Sequence, residues 1–170
     1  MKKSLIFLFI FGSILFLSSC VKQQAQFPSN KEKQIDSTDI NLRTINETLT
    51  LKEDSIIHEL VRQQKNSYIK TPSGAWYYKE SVTSLDSLKE SPQAVFSYTL
   101  YTLTGEKISI EKKQVTFGKK EIPSGLEEGL KLMRKGEKIR LIVPWYLAYG
   151  MRGQDNIPPY TSLVYEITAK

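Results

Sequence analysis

The chain has 170 residues, 24 Lys or Arg against 18 Asp or Glu, and a formal net charge of +6. One cysteine and one histidine exclude an intrachain disulfide and leave no Cys/His cluster for a metal or a thiol–imidazole site. The basic excess is interleaved with acids, as at Lys112-Lys113 beside Glu111 and Lys119-Lys120 beside Glu121, which reads as a solvated surface and not as a nucleic-acid site.

Residues 1–19 read as a leader. Lys2 and Lys3 precede the apolar run Leu5–Leu17, which is too short for a membrane span and is flanked like a signal peptide. It closes on Leu17-Ser18-Ser19-Cys20, which resembles a bacterial lipobox and implies lipidation at Cys20 and a membrane anchor of two acyl chains. Losing the leader removes two lysines and no acid, so the formal charge falls to about +4. Residues 20–48 are polar without sustained periodicity and read as a tether.

A lead-in helix is expected within 49–70. Across Leu51–Tyr68, the residues Ile56, Ile57, Leu60, Val61 and Gln64 share one face, and Asp54 is placed to cap the start. His58 on this helix reads as a surface histidine. Thr71-Pro72-Ser73-Gly74 marks a turn, and the domain follows over 71–170. Ala75–Tyr78, Val95–Leu103, Lys107–Glu111 and Val115–Phe117 read as strands, the second and third joined by a hairpin at Thr104-Gly105.

The domain's strong helix starts near Ser124. Ser124 and Glu127 match a capping box, Leu126, Leu130 and Met133 form an apolar stripe, Arg134 and Lys135 complement the helix dipole, and Gly136 suits a left-handed cap. Strands alternating at Ile139, Leu141, Val143 and at Leu163, Tyr165, Ile167 close the chain, separated by a long loop from Trp145 to Tyr160. The pattern is α+β: an antiparallel sheet wrapped around one short α-helix, with a lead-in helix before it.

Three blocks carry more than pattern: Glu121-Ile122-Pro123-Ser124-Gly125-Leu126-Glu127-Glu128-Gly129-Leu130, then Pro144–Gly150, then Ile157-Pro158-Pro159-Tyr160-Thr161-Ser162-Leu163-Val164-Tyr165. In that order and spacing they resemble the second half of an FKBP-type peptidyl-prolyl isomerase domain, the likeness extending over roughly 74–170. The resemblance implies an FKBP-like fold and catalysis of cis–trans exchange at X–Pro bonds, with no cofactor and no metal. It implies a proline pocket built by Tyr98, Leu126, Tyr149 and Tyr165, with Ile108, Ser109, Phe117, Ile122 and Ile157 as substrate contacts. Leu126 would form the floor and Tyr149 would donate to a substrate carbonyl.

The chain departs from the family pattern where members carry an aromatic followed by an aspartate: here stand Ile108 and Ser109. An ungapped alignment puts Pro123, which has no N–H, at the family's backbone donor, and a one-residue shift within Ile122–Ser124 would restore one. The loop from Gly150 to Pro158 is a residue short.

With the lipobox, the resemblance implies an isomerase facing the periplasm from a membrane anchor, acting on exported or envelope polypeptides. The lipobox, the tether and Gly74-Ala75-Trp76-Tyr77-Tyr78 also resemble bacteroidete lipoproteins associated with gliding motility. The alternatives are a non-catalytic FKBP-like module that binds peptides or acts as a chaperone in an envelope complex, and a structural lipoprotein whose lead-in helix is the contact surface.

Overall fold

The structure, a computed structural model, describes residues 37–170, with side chains from Asn41 onward. The leader 1–19, the lipidation site Cys20 and the tether as far as residue 36 lie outside the described residues. Two units divide the chain, Met1–Leu42 and Arg43–Lys170; the sheet and its core belong to the second.

Helix α1 (Ser37–Arg62) is one uninterrupted helix. It begins well before the expected 49–70 segment and ends short of Tyr68. No glycine or proline interrupts the span. Its hydroxyl residues turn back on their own helix, as when Thr48 Oγ1 donates to the Thr44 carbonyl at 2.8 Å and Ser55 Oγ to that of Leu51 at 2.9 Å. Their frequency hides the helix from a search for an apolar stripe. Asp54 does not cap it. Lying in mid-helix, it accepts from the Tyr146 hydroxyl at 2.7 Å and from Lys70 at 3.2 Å. Ile57 is fully buried in a cluster with Ile142 and Val164, flanked by Leu60, Val61 and Trp76. His58 stays exposed, edge-on to Trp76.

Six strands form one antiparallel sheet: β1 (Ile69–Lys70), β2 (Trp76–Ser81), β3 (Gln93–Thr102), β4 (Lys107–Thr116), β5 (Lys138–Val143) and β6 (Leu163–Ala169), ordered β1-β2-β5-β6-β3-β4. Strand alternation sorts the side chains onto two faces. Ala94, Phe96, Tyr98 and Leu100 of β3 meet Leu163, Tyr165, Ile167 and Ala169 of β6, and Ile139, Leu141 and Val143 of β5, in the main core. The opposite parity, Ile142 and Val164, faces α1.

β4 is continuous, where the sequence suggested two short strands. It pairs with β3 from Gln93↔Thr116 to Leu100↔Ser109, and a bulge then shifts the register to Tyr101↔Lys107. The polar run Glu111–Gln114 is tolerated because β4 is an edge strand whose outer side meets water. The bulge is why Ile108 and Ser109 both face inward, since two residues there oppose one.

Helix α2 (Ser124–Lys131) fills the concave face with Leu126 and Leu130, and Met133 beyond its end completes the buried set. The capping box does not form. Pro123 is the N-cap, extended at φ −54° and ψ 145°, and its carbonyl accepts from the Glu127 amide at 3.0 Å. Glu127 instead accepts from the Gly118 amide and from Lys131. The C-cap is Leu132 in αR geometry, and Gly136, at φ +78°, turns the chain further on, into β5. Arg134 and Lys135 serve the preceding segment and not the dipole: Arg134 donates to the Leu85 carbonyl at 2.9 Å and Lys135 to Asp86 at 3.3 Å.

Glu137 is a buried carboxylate beside this turn. Burial pushes its carboxyl up, but Lys79 at 2.8 Å and the Arg134 and Thr83 amides outweigh that and hold it below the usual range. It ties β2, the segment that follows β2 and the turn that leads into β5.

Two substitutions test this packing. Gly129 faces β5 with no room for a Cβ, which would overlap the Leu141 side chain. Gly129→Ala is therefore expected to destabilise the domain by about 1–3 kcal/mol in urea unfolding, against the ~1 kcal/mol gain that helix propensity alone would give. Ile57→Ala is expected to cost about 2–5 kcal/mol and to raise amide exchange along the second half of α1; an unchanged urea midpoint would mean that α1 does not dock.

Candidate functional site

The concave face is left open where α2, β4 and the loop after β5 converge. A hollow of about 250 Å³ lies there, walled by Tyr98 of β3, Ile122 and Pro123 before α2, Leu126 in its first turn, and Ala148 and Tyr149 of the loop. A second hollow of about 260 Å³ adjoins it, walled by Leu100, Ile108, Ser109, Glu111 and Ile157. Lys113, Tyr149 and Gln154 line both, so the two form one bent groove.

Each wall is fixed by local chemistry. Leu126 is 1% exposed because Gly125, on the same turn, lets α2 approach Val143 and Leu147. The loop opens with a 3₁₀ turn, Trp145–Leu147, anchored by the Trp145 amide donating to Ser162 Oγ at 2.8 Å. Gly150, at φ +64°, reverses the chain beside Tyr149, its amide bound to the Trp145 carbonyl and its carbonyl to the Tyr160 amide. Gln154 and Ile157 exchange backbone hydrogen bonds of 2.9 and 2.8 Å, which set Ile157 on the rim. The left-handed Gly153 that precedes them has the Ile157 carbonyl where a Cβ would stand.

Of the residues expected from the sequence, Tyr98, Leu126, Tyr149 and Ile122 meet in the first hollow, and Ile108, Ser109 and Ile157 in the second. Tyr165 and Phe117 line neither. Tyr165 is 0% exposed and lies under Tyr98, ring centres 5.4 Å apart, so it backs the wall instead of facing the groove. Phe117 packs at the edge of the core beneath Lys131, whose ammonium is 5.4 Å from the ring centre. Pro123 stands on the wall itself, so that position offers the groove no N–H.

Burial raises the Tyr98 phenol to about 12, with Glu111 adding to the shift and Lys113 opposing it. Burial also pushes the Tyr165 phenol well up, Tyr149 adding to it. Both are neutral O–H groups at ordinary pH. The Tyr165 hydroxyl is buried with no partner that satisfies hydrogen-bond geometry.

Sequence reasoning missed Glu111, Lys113, Lys120, Glu121, Ala148 and Gln154 as wall residues. The first two carried a signal: with β4 continuous, Ser109, Glu111 and Lys113 share a face at period two. Gln154 and Ala148 are placed by loop geometry, which no periodicity marks.

Comparisons with known proteins bear on the family and the fold. The family model for FKBP-type peptidyl-prolyl cis-trans isomerases matches residues 86–170, half of the chain. The FKBP-type peptidyl-prolyl cis-trans isomerase FkpA of Buchnera aphidicola (subsp. Acyrthosiphon pisum, strain APS) is 32% identical over 101 residues, covering 58% of this chain and 42% of the relative. FkpA of Escherichia coli K12 is 31% identical over 107 residues, 61% of this chain and 40% of the relative. The matched segments thus span about two fifths of these relatives. The crystal structure of FkpA from Escherichia coli superposes with a TM-score of 0.61 at 21% identity, over 99% of this chain and 81% of that one, a likeness of fold. On the strength of the family model and the fold that carries it, the chain belongs to the FKBP-type peptidyl-prolyl cis-trans isomerase family.

Proposed function

We propose that the protein catalyses cis–trans exchange of X–Pro bonds in exported or envelope polypeptides and so assists their folding. The observation that carries this reading is the first hollow, in which a leucine floor, two tyrosines and an isoleucine surround a space of about 250 Å³, of the order of a prolyl side chain with its flanking amide.

The chemistry requires no nucleophile or metal. Amide resonance sets a barrier of about 18–20 kcal/mol, and uncatalysed exchange takes tens to hundreds of seconds. Catalysis consists in holding the twisted amide better than either planar form. The twisted amide has lost resonance and carries less charge separation, so a desolvated aromatic hollow costs it less than it costs the planar ground state. Leu126 and Ile122 would seat the pyrrolidine ring, and the Tyr98 ring would wall it. Tyr149, half-buried in the loop, would donate its hydroxyl to the carbonyl that swings as the bond turns. Tyr165 would keep Tyr98 from receding.

The setting in this proposal is the cell envelope. Cys20 would carry the lipid anchor, and residues 20–36 with the first part of α1 would hold the domain away from the membrane, facing the periplasm. Among the described residues no helix is long and apolar enough to cross a membrane. The lipobox and its bacteroidete resemblance, including the motility-associated subgroup, support this setting.

One observation favours the binding-module alternative: Pro123 removes an N–H from the wall of the groove. Substrate would then be held with one donor fewer, and an envelope complex would use the groove for grip alone.

NMR exchange on short X–Pro peptides separates the two. Tyr149→Phe is expected to lower kcat/KM about tenfold, the loss of one hydrogen bond realised in the transition state. Leu126→Ala, which hollows the floor, is expected to raise KM as well. A folded chain that binds the peptides but does not speed their exchange would establish the binding module.

A further inference from the structure

The loop that carries Tyr149 is held from outside the groove by one side chain of the lead-in helix. Asp54 lies in mid-helix, clear of both ends of α1. Its Oδ1 accepts from the Tyr146 hydroxyl at 2.7 Å, and its Oδ2 accepts from Lys70 Nζ at 3.2 Å. A hydroxyl donating to a carboxylate makes one of the stronger side-chain hydrogen bonds. Burial, and then Asp54, push the Tyr146 phenol well above its usual range, so it stands as an O–H donor at ordinary pH. The Tyr146 ring lies edge-on to Trp145, ring centres 5.6 Å apart, and Trp145 lies edge-on to Tyr160 at 4.9 Å. The backbone carries this anchorage to the groove. The Trp145 carbonyl accepts from the Ala148 amide at 3.1 Å and from the Gly150 amide at 2.9 Å, so Tyr149 is slung between two residues tied to the neighbour of Tyr146. Ala148 and Tyr149 wall the first hollow, whereas Tyr146 lines neither of the two. The turn's other polar side-chain anchors are Ser162 Oγ on the Trp145 amide at 2.8 Å and Ser124 Oγ on the Leu147 carbonyl at 3.4 Å, and neither is charged.

We propose that Asp54 is a positioning residue of the site: by holding the Tyr146 hydroxyl it fixes the turn Trp145–Leu147, and with it the place of Tyr149 on the groove wall. The inference rests on the isomerase reading and deepens it, since it makes the lead-in helix part of the working site and not only a spacer. Docking of the helix does not depend on Asp54. Ile57, fully buried with Ile142 and Val164, supplies the apolar contact, whereas a partly buried carboxylate carries a desolvation cost that its partners must offset. What the carboxylate adds is direction. One oxygen is engaged by the loop and the other by β1, which leaves α1, β1 and the turn a single mutual arrangement. Among the described residues the Tyr146 hydroxyl makes this hydrogen bond alone. Without the acceptor the turn can pivot on its remaining anchors. Catalysis is sensitive to such a shift, because a group displaced by about 1 Å from the atom it serves loses much of its effect.

The test asks whether Asp54 acts through Tyr149. In the full chain, Asp54→Ala and Tyr146→Phe remove the two ends of the bond. Each is expected to lower kcat/KM for X–Pro peptides about fivefold, mostly in kcat. The double variant is expected to be no worse than either, because one interaction is lost once. In a Tyr149→Phe chain, Asp54→Ala is expected to cost less than about twofold, there being no hydroxyl left to misplace. A merely structural brace would lower the urea midpoint and leave the turnover of the folded chain unmoved. The amide NMR shifts of Ala148, Tyr149 and Gly150 should move alike in Asp54→Ala and Tyr146→Phe. Parental turnover in either single variant or in Tyr149→Phe, additive losses in the double variant, or an undiminished loss in the Tyr149→Phe chain each overturns the proposal. If Asp54→Ala does not fold, Tyr146→Phe takes its place in the comparison with Tyr149→Phe. A parent chain with no turnover defeats the isomerase reading instead, and the amide shifts then decide on Asp54 by themselves: moved, they uphold its hold on the loop; unmoved, they overturn it.

Discussion

The close approach of α2 to β5 is the constraint on which the rest of the molecule depends. Gly125 and Gly129, one turn apart, present no side chain to Val143 and Leu141, so the helix sinks into the concave sheet. That depth puts Leu126 at the bottom of the groove and leaves Leu130 and Met133 to seal the core behind it. A helix held further out by even one methyl would lift the floor and part the walls, because close-packed interiors transmit such shifts.

The groove combines two kinds of wall. One is apolar and is positioned by the core, with Tyr98 resting on the fully buried Tyr165. The other is polar and is positioned by β4, an edge strand whose inward face carries hydroxyl, carboxylate and ammonium in succession. Aromatic burial fixes where Tyr98 lies, and Lys113 of the charged row stands 5.8 Å from its ring centre. Ser109 stands on that inward face where the family pattern has an aspartate, and Pro123 leaves its place on the wall without an N–H.

The lead-in helix is joined to the domain by an apolar contact and a polar one. Ile57 enters the cluster on the back of the sheet, and Asp54 links Tyr146 and Lys70. Tyr146 is a near neighbour of Tyr149 in the loop, and its hydroxyl also fills the space beside Gly74. The base of the loop that carries Tyr149 is thus braced from the face opposite the groove.

Much of the fold was legible from residue order alone. Period-two alternation marked β5 and β6, β-forming composition marked β3, and Leu126, Leu130 and Met133 marked the face of α2, because burial on one side of an element leaves a periodic trace. The family resemblance named Tyr98, Ile122, Leu126 and Tyr149 for one pocket, and all four wall the first hollow. What the sequence could not determine is what depends on partners distant in the chain. Whether Ser124 caps α2 was decided by Pro123 already presenting its carbonyl. Whether Glu111–Gln114 ends a strand was decided by Val95–Tyr98 of β3 pairing across it. Tyr165 backs the groove instead of lining it because Tyr98 lies over it, and Glu111 and Lys113 face the groove because an edge strand runs unbroken. Sequence specifies local periodicity and composition; the identity of the neighbour across a sheet, which sets burial, hydrogen-bond satisfaction and charge pairing, exists only once the chain has folded.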